Sequence, residues 1–346
     1  MNPAILAAGA VTSVGTSALQ TFTSVRAGLV RLRETSVCDA EFEPVVMGLV
    51  PAKYLPPLAE ALDARGTLTA RQARMLRLAH AAWDGVADVV PGASAVPLYL
   101  GAPETLSGRP PAVHEGFLDD LAAQCAGAFD RARSLVFADG RAAAFTALDR
   151  AVRDLREGVI DRAWVGGVDT HLDLFALATL DRDERLKTAR RMEGFHPGEG
   201  AAFVLLGAGS GWCDVTSVGL GREAGHLGSD LPLLGDGLAD AVRDALAGAA
   251  HVTTVLAGMN GEYLAAKEWG VAVRRNHRSF AAEATTLCPA ESYGDAGAAT
   301  GALLVVLAAV GLARGAFTGA ALAWAASDRE ARGAALLTGG STEMMR

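Results

Sequence analysis

Hydrophobic positions along the chain follow two periods, and residues 134–169 show both most clearly. Ser134-Leu135-Val136-Phe137 is a short apolar run of the strand type, and Ala138-Asp139-Gly140-Arg141 is a turn. Phe145, Leu148, Val152 and Leu155 then recur at steps of three and four, which puts them on one face of a helix. Asp149, Arg150, Arg153, Asp154, Arg156 and Glu157 take the outer faces, and Gly158 closes the helix as its C′ residue. Ala163-Trp164-Val165 returns to the strand type and runs into Gly166-Gly167. A strand that turns abruptly into a helix aims one side chain into a pocket beside the helix N-terminus, so many folds place a nucleophile there. This turn contains no Ser, Cys or Thr.

The same alternation extends in both directions. Strands are predicted at 4–7, 96–101, 134–137, 163–165, 200–206, 215–220, 253–257, 322–325 and 333–337. Helices are predicted from a Thr16 cap through Val25, at 58–62, 69–89, 112–129 and 236–246, through Trp269, and within 296–313. Residues 9–15 read as a loop, and 38–49 as irregular with strand character. Strands alternating with helices predict an α/β fold with mostly parallel pairing. Each half also closes in the same way: glycine-rich turn, helix, strand, then Gly200-Ala201-Ala202-Phe203-Val204-Leu205 or Gly333-Ala334-Ala335-Leu336-Leu337. Two similar halves, 1–207 and 208–346, are expected.

Composition sets outer bounds. The 346 residues are 51% hydrophobic and 20% charged, so a large core is available and disorder is excluded. Only 6% are aromatic while 40 are glycine, which favours helices packed closely on a sheet with many tight turns. The net charge is −8, and no basic stripe exists to neutralise phosphates or an anionic membrane, so neither nucleic acid nor membrane is an expected partner. Cys38, Cys125, Cys213 and Cys288 form no CxxC pair and are too sparse for a disulfide scaffold, so a reducing cytoplasm is expected. The first 25 residues are uncharged but lack the basic start of a secretory leader. The uncharged run 296–313 contains three glycines and a threonine and follows Asp295, which fits a buried helix better than a membrane span. No histidine has metal-ligand spacing, and Gly219 to Gly225 lacks dinucleotide spacing, so no metal or cofactor is expected. Cys288, in an apolar context before Pro289, reads as an inert thiol, and His196 as a structural side chain.

Several motifs together resemble the thiolase superfamily, and within it the β-ketoacyl-acyl-carrier-protein synthases. Gly9-Ala10-Val11-Thr12-Ser13-Val14-Gly15 resembles their N-terminal strand and loop, and 158–167 the stretch after the nucleophile helix. Glu193-Gly194-Phe195-His196-Pro197-Gly198-Glu199-Gly200-Ala201-Ala202 resembles their Asp-Gly-Phe-x-x-Gly-Glu-Gly-Ala signature, the most specific match. Gly294-Asp295-Ala296-Gly297-Ala298-Ala299-Thr300-Gly301 resembles the C-terminal Gly-His turn. The resemblance implies a thiolase-like five-layer α/β/α/β/α fold of two duplicated halves, usually a dimer.

It also implies a cysteine nucleophile, two histidines and a lysine, and the sequence departs at every one of these positions. Arg141, or Gly140 with one gap, stands in the cysteine's place. Gly258-Met259-Asn260 follow the strand where the first histidine belongs, Asp295 replaces the second, and the lysine region reads Pro289-Ala290-Glu291. The glycine- and phenylalanine-rich gate is Ser327-Asp328-Arg329-Glu330. A permanently protonated guanidinium cannot attack a thioester, and aspartate lacks the imidazole's pKa and donor capacity. No catalytic residue is therefore assigned. Asp139, Arg141, Asn260, Glu262, Glu291 and Asp295 are the candidates for a vestigial pocket or partner contact; the bland alternatives are surface charges without a shared role and, at Asn260-Gly261-Glu262-Tyr263, a plain turn with a helix cap. Stand-alone relatives with Asn-Gly-Glu in that position are associated with type VI secretion effector clusters. The resemblance thus implies a non-catalytic scaffold, chaperone or adaptor, a homodimer with 134–137 near its two-fold axis, whose partner is an effector, adaptor or acyl-carrier protein. The alternative is an acyl-transferring or decarboxylating relative working with a second subunit.

Overall fold

The structure is a computed structural model that describes residues 2–84, 86, 92, 95–105, 111–246 and 251–340. In the first half the elements are β1 (Ala4–Thr12), α1 (Ala18–Arg26), β2 (Arg33–Cys38), β3 (Pro44–Met47), α2 (Glu60–Arg65), α3 (Ala70–Trp83), β4 (Pro97–Gly101), α4 (Phe117–Gln124), β5 (Asp130–Phe137), α5 (Ala143–Arg156), β6 (Arg162–Thr170), α6 (Leu174–Arg182) and β7 (Glu199–Gly207). The second half contains β8 (Cys213–Arg222), α7 (Asp236–Ala245), β9 (Val252–Ala257), α8 (Tyr263–Asn276), β10 (Phe280–Leu287), α9 (Ala290–Tyr293), α10 (Thr300–Ala313), β11 (Ala320–Ala326) and β12 (Ala331–Gly339).

Apart from the β2–β3 hairpin, the strands form one sheet in the order β10-β9-β11-β12-β8-β1-β7-β6-β4-β5. Read outward from the middle, β1-β7-β6-β4-β5 and β8-β12-β11-β9-β10 are the same order with the same pairing senses. Only two residue pairs, Ala4 with Asp214 and Ile5 with Cys213, join them. The expectation of mostly parallel pairing is corrected: only β4–β5, β4–β6, β9–β10 and β9–β11 are parallel in this sheet. β12 follows β11 through a tight hairpin, and such antiparallel pairs need no crossover helix.

Three apolar clusters separate five layers. One lies between the two halves of the sheet and holds α5 and α10; one places α3 and α4 on the outer face of the first half; one places α7 and α8 on the outer face of the second. Residues 300–312 of α10 are all buried, as fits a helix that is apolar on every side. Among the described residues no helix is long and apolar enough to cross a membrane. α5 ends as its periodicity predicts, with Gly158 at φ +70 after the Glu157 cap.

Other local readings change. Gly9 to Thr12 continue β1 rather than opening a loop, because the strand is paired with β7 as far as Thr12. Ser17, not Thr16, caps α1 by accepting from the Gln20 N–H; Thr16 donates its N–H and hydroxyl to the Gln20 side-chain oxygen Oε1. The 112–129 helix shrinks to α4, and the 69–89 helix ends at Trp83, with part of the remainder outside the described residues. β2, β3, β10 and α6 are elements that the pattern did not predict as such.

Candidate functional site

The site is assembled where the first turn of α5 meets the C-terminal ends of β9 and β11. Gly140 at φ +61 opens a tight 3-10 turn over Gly140–Ala142 that leads into α5 and buries Arg141. The Glu199 of the glycine signature is not a reactive group. It is wholly buried, takes both Arg74 Nε and Nη2 at 2.6 and 2.5 Å, and accepts from Val50 N and Thr170 Oγ1 at 2.7 Å each. The signature loop is in turn paired to the turn at 294–295: Gly198 N donates to Asp295 O, and Asp295 N to His196 O, both at 2.8 Å. Gly294, at φ +81, lies so close to the carbonyls of His196 and Pro197 that a Cβ would sit 2.8 Å from each. This backbone lock aims the Asp295 side chain at Arg141.

Arg141 Nε donates to Asp295 Oδ2 at 2.7 Å, and Arg141 Nη1 donates to Asp328 Oδ1 at 2.6 Å. Asn260 Nδ2 donates to Asp295 Oδ2 at 2.7 Å and to Glu262 Oε2 at 2.9 Å. Arg185 grips Glu262 with Nε and Nη2 at 2.7 and 2.8 Å, and Asp328 with Nη1 and Nη2 at 2.8 and 2.9 Å. Both guanidiniums also lie over the Phe195 ring, 5.6 and 5.3 Å from its centroid. Both cations come from the first half, and the three carboxylates from the second. Burial alone would raise the Asp295 carboxyl, but the Arg141 charge, then the neighbouring His171 and the Arg141 hydrogen bond, hold it well below the usual carboxylate range. Asp328 is held low in the same way by Arg141 and Arg185. Burial, reinforced by the Asp328 charge, pushes the Glu104 carboxyl up.

Of the sequence candidates, Arg141, Asn260, Glu262 and Asp295 meet in this cluster. Glu291 does not: it is exposed on α9 and makes none of these contacts. Asp139 contributes its carbonyl, which accepts from the Ser327 hydroxyl, rather than its carboxylate. Arg185 and Asp328 are central here and were absent from the candidates. Asp328 was flagged only as the altered gate, and Arg185 sits in the run Asp181-Arg182-Asp183-Glu184-Arg185, which reads as a solvated surface.

The chemistry available is narrow. The Ser327 hydroxyl stands at the mouth of α5, but it accepts from Ala142 N at 2.9 Å and donates to Asp139 O, so both of its roles are occupied. His171 Nε2 lies 3.6 Å from Asp295 Oδ1 and is not among the partners of the Ser327 hydroxyl. Burial pushes the Cys125 thiol up to about 12 and Cys288 up to about 11, and raises Cys213 as well, so none is a thiolate. Beside Arg141, Tyr293 and Leu304 the remaining space is about 10 Å³, enough for a single water at most. A cleft of about 410 Å³ opens on the other side of Arg141, lined by Arg71, Glu104, Asp169, His171, Ala176 and Leu180 among others. No group of three metal-ligating side chains occurs among the described residues.

The family model for the Beta-ketoacyl synthase, N-terminal domain, matches residues 108–210. No curated protein matches the chain. Among solved structures it is similar to a ketosynthase in complex with its chain length factor from Xenorhabdus doucetiae (17% identity, 98% of each chain covered, TM-score 0.79). It is also similar to the ishigamide ketosynthase/chain length factor (21% identity, 98% and 99% covered, TM-score 0.70). A third is a type II acyl-carrier protein in complex with its hexaketide-bound ketosynthase (13% identity, 98% and 99% covered, TM-score 0.73). The chain has the thiolase-like ketosynthase fold.

Proposed function

We propose that this protein is a non-catalytic ketosynthase-like scaffold, chaperone or adaptor, built from halves 1–207 and 208–346 and acting as a homodimer. The observation that carries the reading is Arg141. It occupies the nucleophile's place in the resemblance and is pinned by Asp295 and Asp328. A side chain that stays protonated cannot accept an acyl group, and its carboxylate partners leave almost no space behind it. The Asn260-Gly261-Glu262 turn, whose side chains are part of the same cluster, fits the setting of type VI secretion effectors. The protein partner would then be an effector or adaptor.

The test is intact-mass spectrometry after incubation with acyl and malonyl thioesters of coenzyme A and of an acyl-carrier protein. The expected result is an unchanged mass; a stoichiometric adduct would reverse the reading. A second reading has its own support: similar structures are complexes of ketosynthases with a chain length factor or a carrier protein. On that reading the chain is the inactive member of a pair that transfers or decarboxylates acyl groups with a nucleophile from its partner. Stable co-purification with a cysteine-bearing ketosynthase, and acyl transfer only by the pair, would favour it.

A further inference from the structure

A cleft of about 590 Å³ lies between the loop after β1, one face of α1 and the 3-10 turn Ala52–Tyr54, and it shares no lining residue with the spaces around Arg141. Neither functional reading above uses it. Its buried side is fixed in place. Thr12 and Gly15 each donate an N–H to the other's carbonyl, at 2.8 and 3.3 Å, and a Cβ on Gly15 would lie 2.4 Å from Thr21 N in α1. The size falls within the range of small-molecule sites, and a preformed wall spares a ligand the cost of ordering it.

The lining offers donors and acceptors in separate places. Thr16 Oγ1 donates to Gln20 Oε1 at 2.8 Å, Thr23 Oγ1 to Leu19 O at 2.8 Å, and Ser24 Oγ to Val14 O at 2.9 Å. A hydroxyl has one proton, so all three present only lone pairs to the cleft and call for a ligand that donates. Gln20 is the reverse: its Oε1 accepts from Thr16 N and Oγ1, which leaves the amide N–H groups as donors. The Ser13 hydroxyl, on a lining residue 3% exposed, has no partner among the described residues, and its proton can rotate to meet one. Arg31 is the one charged side chain of the lining among the described residues, and there its guanidinium has neither an ion-pair nor a hydrogen-bond partner. Glu291, next to the Ser292 carbonyl that takes the Arg31 N–H, neither lines the cleft nor pairs with Arg31. Lys53 adds a second cation near the rim, 4.9 Å from the centre of the Tyr54 ring, and Tyr54 is 46% exposed. In a chain of net charge −8 the first carboxylate is Glu34.

We propose that this cleft binds a sugar carrying one anionic group, a phosphate or a carboxylate. The anion sits at Arg31 and the Gln20 amide, the ring hydroxyls donate to Thr16, Thr23 and Ser24, and the ring lies along Tyr54. A guanidinium without a partner is suited to either anion, because its forked N–H groups match two oxygens at once. Outward lone pairs on three hydroxyls reject a purely apolar ligand, which would leave them unpaired. The site goes beyond the scaffold reading and does not depend on it.

The test is calorimetric titration of the purified full chain with glucose 6-phosphate, ribose 5-phosphate and glucuronate, against glucose, ribose and inorganic phosphate. The phosphate and carboxylate arms separate the two anions. Expected is binding of at least one charged sugar about tenfold or more tighter than the matching neutral sugar and than inorganic phosphate. Arg31→Gln should remove that advantage, again about tenfold, while the melting temperature stays put, because the side chain is exposed and unpaired. Thr23→Val, which keeps the shape and deletes one acceptor, should weaken binding by about threefold or more. Arg190→Gln, outside the cleft, should change nothing. No binding of any charged sugar up to about 10 mM would overturn the proposal. So would neutral sugars or inorganic phosphate binding as tightly, or binding that survives Arg31→Gln or Thr23→Val in folded protein.

Discussion

By the helix dipole alone Arg141 is in the wrong place. The first turn of α5 carries the partial positive end of the helix dipole, which disfavours a cation there by about 0.3–1 kcal/mol. Asp295 and Asp328 reverse the balance, and the arrangement holds only while the set is complete. Arg141→Met or Asp295→Leu alone strands a buried charge and should cost about 3–5 kcal/mol, whereas the double substitution should recover most of it, because a buried pair costs in desolvation about what it returns. Urea denaturation of the three variants measures this, and single variants within about 0.5 kcal/mol of wild type would show that the cluster adds no stability. The acid side follows from the same geometry. The Asp295 carboxyl lies well below its ordinary 3.8 in the folded chain, so the stability it contributes is complete above about pH 4 and drains away as the pH falls toward its folded value. Glu104, raised above its ordinary 4.5, acts in the opposite sense: its contribution is complete below that value and is lost as the pH rises through the folded one. Melting temperature should therefore drop more steeply below about pH 4 in wild type than in the Arg141→Met, Asp295→Leu double variant, since the double variant lacks the Asp295 carboxyl and keeps only Asp328, held low by Arg185; identical slopes would contradict the assignment. Arg141, Asn260, Glu262 and Asp295 were legible as a group only because the family resemblance aligned them. Glu291, aligned with them, lies outside the cluster, since a charge on a short exposed helix and one in a buried loop look alike in sequence. Arg185 was invisible, because its place is decided by Glu262 and Asp328, both distant in the chain.

Among the elements, those with a strong period were readable and those without were not. α5 has one clean apolar face, and α10 is apolar throughout, so both were predicted near their true positions. α6 exposes Leu174 and Phe175 and so shows no single apolar face. β10 is the half-exposed edge sequence Phe-Ala-Ala-Glu-Ala-Thr-Thr-Leu, whose small and polar residues carry little strand signal. The way α7 seats on β8 could not be read from periodicity either, because it depends on a missing side chain. A Cβ on Gly221 would lie 1.9 Å from the Gly237 carbonyl oxygen in α7. Gly221→Ala must displace that helix and should destabilise by about 1–3 kcal/mol or more. Gly270, inside α8, has nothing within 4 Å of its Cβ position, so Gly270→Ala should stabilise by about 0.5–1 kcal/mol. Thermal unfolding of the two variants should shift in opposite directions; a neutral Gly221→Ala would mean that α7 does not press on β8 in this way.

At the scale of the whole molecule, duplication leaves a problem at the ends of the sheet. β5 bonds to β4 on one side, and no described strand pairs with its other edge. A bare edge of this length is an aggregation hazard unless it is covered or paired. β5 is not blunted by proline, and Leu135, Val136 and Phe137 follow one another with Val136 39% exposed. Its charges do not guard the edge either, since Arg131 and Arg133 are engaged by Asp119 and Asp130. An antiparallel pairing of β5 with β5 of a second copy would cover the edge and bury this apolar run by one two-fold operation, without a new element. The expected solution state is thus a homodimer with 134–137 near the axis. Val136→Lys sets like charges against each other across that axis, so it should weaken dimerisation at least tenfold, while an exposed position of this kind should leave protomer stability within about 0.5 kcal/mol. Light scattering over a dilution series reads both proteins. A wild-type chain that is monomeric at every concentration removes the edge-pairing argument, and a Val136→Lys chain that dimerises as tightly as wild type moves the interface elsewhere.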